Sequence, residues 1–96
     1  MSFDEYVSKG WLTVIKPDKA LIDKELEAAN YDLNSVKISL ENKDYKWCIV
    51  KSYYSIFHAC RALLFSLGFK GKNHFVIGLV LEELSKEGKL EHKLIN

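Results

Sequence analysis

Apolar positions recur along this chain at helical spacing and mark out three long segments. In the first, Ile22, Leu26, Ala29, Leu33, Val36 and Leu40 step by 4, 3, 4, 3 and 4. That repeat lines all six along one seam of an α-helix, the pattern of antiparallel bundle packing. The helix is predicted from Asp18 to about Asn42. Pro17 suits its first turn, where a missing N–H costs no intrahelical bond, and Asp18, Asp23, Glu25 and Glu27 sit toward the positive end of its dipole. Asn42-Lys43-Asp44 then makes a short polar connection with Asp44 as N-cap of the next helix. So short a link makes the two helices antiparallel neighbours.

The second segment, Lys46 to Gly68, reads KWCIVKSYYSIFHACRALLFSLG, with no proline, no acid and no internal glycine. Ile49, Tyr53, Ile56, Phe57, Cys60, Leu63, Leu64 and Leu67 fall within about a third of a turn at 100° per residue. So wide an apolar face predicts the central helix of a bundle. Its other side carries Lys51, Tyr54, Ser55, His58 and Arg61.

After the glycine, FKGKNH reads as a loop in which Asn73 can cap a third helix, about Phe75 to Lys86. Val76, Ile77, Val80, Leu81 and Leu84 point inward there, Gly78 permits close approach of another helix, and Glu87-Gly88 ends it. A helical turn over Phe3–Lys9, stopped near Gly10, precedes Trp11, Leu12, Val14 and Ile15, which are expected to pack as a lid. At the other terminus Leu90, Leu94 and Ile95 keep helical spacing over two turns. The expected fold is all-α, an up-and-down antiparallel helical bundle of three long helices plus short terminal helical segments, in one domain spanning 1–96. Two terminal turns cannot wall off the central helix, so part of its apolar arc is expected to be covered by the lid or by another chain.

Composition adds limits. Ninety-six residues with 48% apolar and 28% charged content describe a soluble globular domain. There is no apolar run long enough for a membrane span, and MSFDEYVSKG lacks the apolar stretch of a secretory signal. Cys48 and Cys60, about 18 Å apart on one helix axis, are too distant to bridge each other. A reduced, cytoplasmic setting follows. No metal-ligand spacing, glycine-rich phosphate loop or nucleophile–histidine arrangement is present, so neither a cofactor nor a metal is expected.

Charge is more informative. The net +1 hides a segment, residues 46–74, with Lys46, Lys51, Arg61, Lys70 and Lys72 and no acid, while residues 17–45 hold four lysines against seven acids. The basic segment either attracts phosphate or an acidic partner, or pairs with the acidic helix before it. Tyr54, His58 and Arg61, spaced 4 and 3 apart with Lys51 beside them, share a helix face. In the functional reading Arg61 and Lys51 bind phosphate, His58 hydrogen-bonds or exchanges a proton and Tyr54 stacks a base, with Trp47 and Phe65 flanking. In the structural reading the same side chains bond Asp32 or other acids of the preceding helix and lock the bundle. Lys70, Lys72 and His74 form a second basic candidate in the loop, and His92 is expected at the surface.

Tyr53, Tyr54, Phe57, His58, Ala59, Arg61, Ala62, Leu63 and Leu64, followed by Gly68-Phe69 and Asn73-His74, resemble the HEPN family of helical-bundle domains. So do the Ala29, Tyr31, Asp32, Leu33 element and the Lys-Asp-Tyr-Lys-Trp lead-in. The resemblance implies a bundle of four or five helices, often dimeric. It also implies a setting in which many members act with a minimal nucleotidyltransferase as a toxin–antitoxin pair. Active members are metal-independent ribonucleases with an Arg-x4–6-His motif on the last helix. Here Arg61 is the sole arginine and positions 66 to 68 are Ser, Leu and Gly. No catalytic residue is therefore assigned, and the region that carries the motif is expected to be absent or truncated after Asn96. The expectation is a homodimeric binding protein for a nucleotide, RNA or a nucleotidyltransferase partner. The alternatives are a ribonuclease toxin completed by a missing segment or another chain, and a structural dimerisation module.

Overall fold

The computed structural model describes residues 2–86. In chain order these form α1 (Phe3–Ser8), β1 (Leu12–Val14), α2 (Lys19–Glu41), α3 (Tyr45–Ser66), β2 (Phe69–Gly71) and α4 (His74–Lys86). The fold is all-α in its weight, with α2 and α3 as an antiparallel hairpin of 23 and 22 residues. Glu87, Gly88, Leu90, His92, Leu94 and Ile95, on which expectations were placed, lie outside the described residues.

Local chemistry explains the boundaries. Ser2 caps α1 in a reciprocal box with Glu5. The Asp18 carboxylate accepts from the Ala20 N–H at 2.9 Å to start α2. Pro17 stands just before that cap, outside the helix and not in its first turn, because the Asp18 side chain has taken the cap position. At the far end α2 closes in a Schellman turn: Asp44 N–H donates to Ser39 C=O at 2.8 Å and Lys43 N–H to Leu40 C=O at 3.0 Å. Lys43 supplies the left-handed residue, with φ 58°. Asp44 occupies the N-cap of α3 but makes no side-chain cap bond, contrary to expectation, because its backbone is committed to the turn. Gly68 at φ 86° ends α3, and Asn73 caps α4 by accepting from Val76 N–H at 2.9 Å.

One element differs in kind. FKGKNH, expected to be a loop, contains β2, which pairs antiparallel with β1 in the register Leu12↔Gly71, Thr13↔Lys70, Val14↔Phe69. The lid is thus a two-stranded ribbon. It places Leu12 in the core but turns Val14 to solvent.

That core gathers Tyr6, Leu12, Leu64, Val76, Ile77, Val80 and Leu84. It lies at the base of the hairpin, where α1, the ribbon and α4 meet the end of α3. Two expectations about packing are corrected here. The α2 seam faces α3 only in part: Ala29 is buried and Ile22 and Val36 are half-buried, but Leu26, Leu33 and Leu40 are exposed, and Glu25 and Ser39 are buried instead. Small and polar residues let the helices approach, with Ser55 Oγ donating to Ala29 C=O at 2.9 Å and Lys51 Nζ to Ser39 Oγ at 2.8 Å. Nor is the whole α3 arc inside. Leu64 is buried and Phe57, Cys60, Leu63 and Leu67 are half-buried, but Ile49, Tyr53 and Ile56 are exposed, since α4 covers the later turns of α3 alone.

Candidate functional site

The chemistry of the hairpin concentrates where α3 crosses the first turns of α2. Glu25 is 8% exposed, a burial that a carboxylate tolerates when it is well hydrogen-bonded. His58 Nδ1–H donates to its Oε2 at 2.6 Å, and Arg61 Nη1 lies 3.2 Å from its Oε1. The other ring nitrogen of His58 faces Asp32 Oδ2 at 3.8 Å, an ion pair when the ring carries its second proton. Of the two readings of His58 and Arg61, the bond to acids of the preceding helix is therefore present. The acid is Glu25 first and Asp32 second.

The same side chains also border an open cleft of about 570 Å³. The segment Ile15–Asp18, the start of α2, α3 and Lys70 of β2 surround it. Lys16, Lys24, Arg61 and Lys70 contribute four cations against Asp18 and Glu25. Among the described residues, none of Lys16, Lys24 and Lys70 is in an ion pair. Phe65 forms part of the floor, with the Arg61 guanidinium 5.3 Å from its ring centre. Cationic rims over an aromatic floor suit a phosphate group carried by a flat, polarisable moiety.

Of the seven residues singled out in the sequence, the cleft brings together His58, Arg61 and Lys70. Lys51 is two turns away and engaged with Ser39. Tyr54 is edge-on to Tyr53, with ring centres 5.5 Å apart. His74 belongs to a separate cluster, stacked on Phe57 at 3.8 Å and hydrogen-bonded through Nδ1 to the Tyr53 hydroxyl at 2.6 Å. The exposed Lys72 donates its backbone N–H to Trp11 C=O. Lys16 and Lys24 were missed, because each sits among acids or apolar residues in sequence and only the ribbon and the hairpin carry them to Arg61.

On the other flank, Tyr53, Ile56, Phe57 and Cys60 of α3 and His74, Ile77, Gly78 and Leu81 of α4 enclose an apolar hollow of about 120 Å³. Burial pushes the Cys60 thiol up from its ordinary value, so it is a poor nucleophile at neutral pH. No helix among the described residues is long and apolar enough to cross a membrane.

Comparison with known proteins completes these observations. The HEPN domain family model matches residues 22–96. Methanocaldococcus jannaschii carries a protein named "Putative toxin MJ0605", 36% identical to this chain over 64 residues, covering 58% of this chain and 48% of the relative. The chain thus spans about half the length of the curated relative it matches. No solved structure matches it.

Proposed function

The chain belongs to the HEPN domain family, and from that premise we propose that it is a toxin–antitoxin-type component that binds a phosphate-bearing ligand, a nucleotide or RNA, in the basic cleft. The observation that carries this reading is the convergence of Lys16, Lys24, Arg61 and Lys70 over Phe65 from four separate parts of the chain. The relative's name supports the toxin–antitoxin setting. In that setting a minimal nucleotidyltransferase is the protein partner, the chain works as a homodimer, and the compartment is the cytoplasm. Arg61 and the three lysines hold phosphate. His58 is the group placed to pass a proton, and Glu25 fixes its ring. A structural dimerisation module is the second reading, favoured by the exposed apolar side of the hairpin.

Fluorescence anisotropy with a labelled single-stranded RNA and with a labelled ATP tests the proposal. The double variant Lys24→Glu, Lys70→Glu leaves the Glu25 network intact and is expected to lower affinity at least tenfold with an unchanged melting temperature. Equal binding by both proteins, or no binding by the wild type at low salt, removes the reading.

A further inference from the structure

Arg61 has an anion of its own before any ligand arrives. Glu25 Oε1 lies 3.2 Å from Arg61 Nη1, and Glu25 is so nearly buried that little water screens the pair. Two anions on one guanidinium repel each other, so a phosphate must enter the cleft against Glu25. The guanidinium does not depend on that carboxylate for its place. Its carbon lies 5.7 Å from the Phe57 ring centre and 5.3 Å from that of Phe65, and cation–π attraction holds it at the cleft.

Glu25 has a second partner that can take it over. His58 Nδ1–H donates to Oε2 at 2.6 Å, and the opposite ring nitrogen faces Asp32 Oδ2 at 3.8 Å. A neutral ring offers Asp32 an unprotonated nitrogen. With its second proton, the ring is a cation between two carboxylates. Around it α2 presents Glu25 and Asp32, α3 presents Arg61, and the cleft adds Lys16, Lys24 and Lys70 against Asp18. Among the described residues, α4 contributes nothing to the cleft lining. Glu25, Asp32 and Arg61 carry a net single negative charge beside a neutral His58, and none beside a charged one.

We propose that Glu25 is a built-in competitor for the ligand phosphate on Arg61, and that a second proton on His58 displaces it. The charged ring keeps Glu25 and Asp32, Arg61 turns its donors to the phosphate, and binding takes up a proton. Histidine is the side chain whose charge changes between about pH 5 and 8. The cleft therefore holds its ligand more tightly toward the acid end of that range and releases it toward the alkaline end. For one proton the gain is at most about tenfold per pH unit. The proposal rests on the cleft as the phosphate site, and it gives His58 a proton that it keeps while the ligand is bound.

Anisotropy titrations with labelled single-stranded RNA and labelled ATP at pH 6 and pH 8 test it. Each variant is compared with the wild type at the same pH, so that the ligand's own charge cancels. Glu25→Gln keeps an acceptor for His58 and removes the competing charge. It is expected to bind about fivefold more tightly than the wild type at pH 8 and equally at pH 6. His58→Gln cannot take a charge, and it is expected to match the wild type at pH 8 and to bind about fivefold more weakly at pH 6. His74 and His92 remain in both variants, so any titration of theirs leaves these ratios unchanged. Circular dichroism at each pH checks the fold. Should a variant unfold, calorimetry of the wild type in two buffers of different ionisation heat reads the proton directly, and binding without proton uptake overturns the displacement. Ratios of one at both pH values, or weaker binding by Glu25→Gln, overturn the displacement while the cleft reading stands. Absence of binding by the wild type and by Glu25→Gln at both pH values removes the cleft reading and the displacement with it. Binding by Glu25→Gln alone supports both.

Discussion

His58 and Glu25, 33 positions apart in the chain, meet at 2.6 Å across the α2–α3 seam, and Arg61 reaches the other oxygen of the same carboxylate. One buried acid is therefore held by two bases that are themselves partly open to water. Removing a base leaves a buried charge short of a partner, whereas removing the acid leaves two bases that water can solvate. His58→Ala is accordingly expected to cost about 2–3 kcal/mol. Glu25→Ala should cost about 1–2 kcal/mol, and Glu25→Leu less again. Urea denaturation followed by circular dichroism gives the order, and a reversed order would show that the acid is not the fulcrum of the cluster.

The two predicted caps should behave differently. Asn73→Ala removes a bond to the Val76 N–H and is expected to cost about 1 kcal/mol, or roughly 4–8 °C in a domain of this size. Asp44→Ala removes no side-chain cap bond and should leave the melting temperature within a degree or two.

These residues show what sequence pattern can and cannot resolve. Helix existence, the antiparallel hairpin and the Asn73 cap were legible because spacing and terminal residues act locally. The α2 seam misled because periodicity reports that a helix has an apolar side, not what that side touches. Of the seam only Ala29 is fully buried; Glu25 and Ser39 beside it are polar and carry no hydropathy signal, yet they are buried with it. The ribbon was hidden for another reason: three-residue strands are too short to show alternation, and their pairing joins positions 55 to 59 apart. Half of the candidate site followed from charge on α3. The lysines at 16 and 24 required the ribbon and the hairpin to be known.

Lys43 holds a left-handed conformation that costs a side-chain-bearing residue about 1 kcal/mol and a glycine almost nothing. Lys43→Gly should therefore stabilise the protein by about 0.5–1 kcal/mol while preserving the Schellman turn. A higher denaturation midpoint with an unchanged slope confirms it.

Two glycines make an opposed pair. A Cβ at Gly71 stands 2.6 Å from Ile77 Cγ1, so Gly71→Ala should overpack the ribbon against α4 and cost about 1–3 kcal/mol. Gly78 sits in open helical space, and Gly78→Ala should gain up to about 1 kcal/mol. Thermal melts of the two variants at low micromolar concentration, shifting in opposite directions, check both.

Burial raises the Cys60 thiol above its ordinary 9.0, and burial followed by the nearby Glu83 and Glu82 raises the Tyr6 phenol above 10.0. For an acid whose folded pKa is raised, the stabilising contribution is complete below the unfolded value and disappears as pH rises through the folded one. Stability should thus hold through neutral pH and fall above about pH 9–10. Iodoacetamide should label Cys60 more slowly than a free cysteine at pH 8, with the difference narrowing as pH rises. Peptide mass mapping against a urea midpoint at each pH measures both effects.

The ribbon also determines how the molecule can vary. It clamps the entry of α2 to the exit of α3, so the chain enters and leaves the hairpin at one anchored end. Beyond the reach of α4, the tip around Asn42–Asp44 projects as a cantilever with no third element beside it among the described residues. A beam fixed at its root can be lengthened or cut at its tip without disturbing the mount. Whole seven-residue blocks could therefore be inserted into both arms near that turn, extending each apolar row by one step while leaving the core and the cleft at the base untouched.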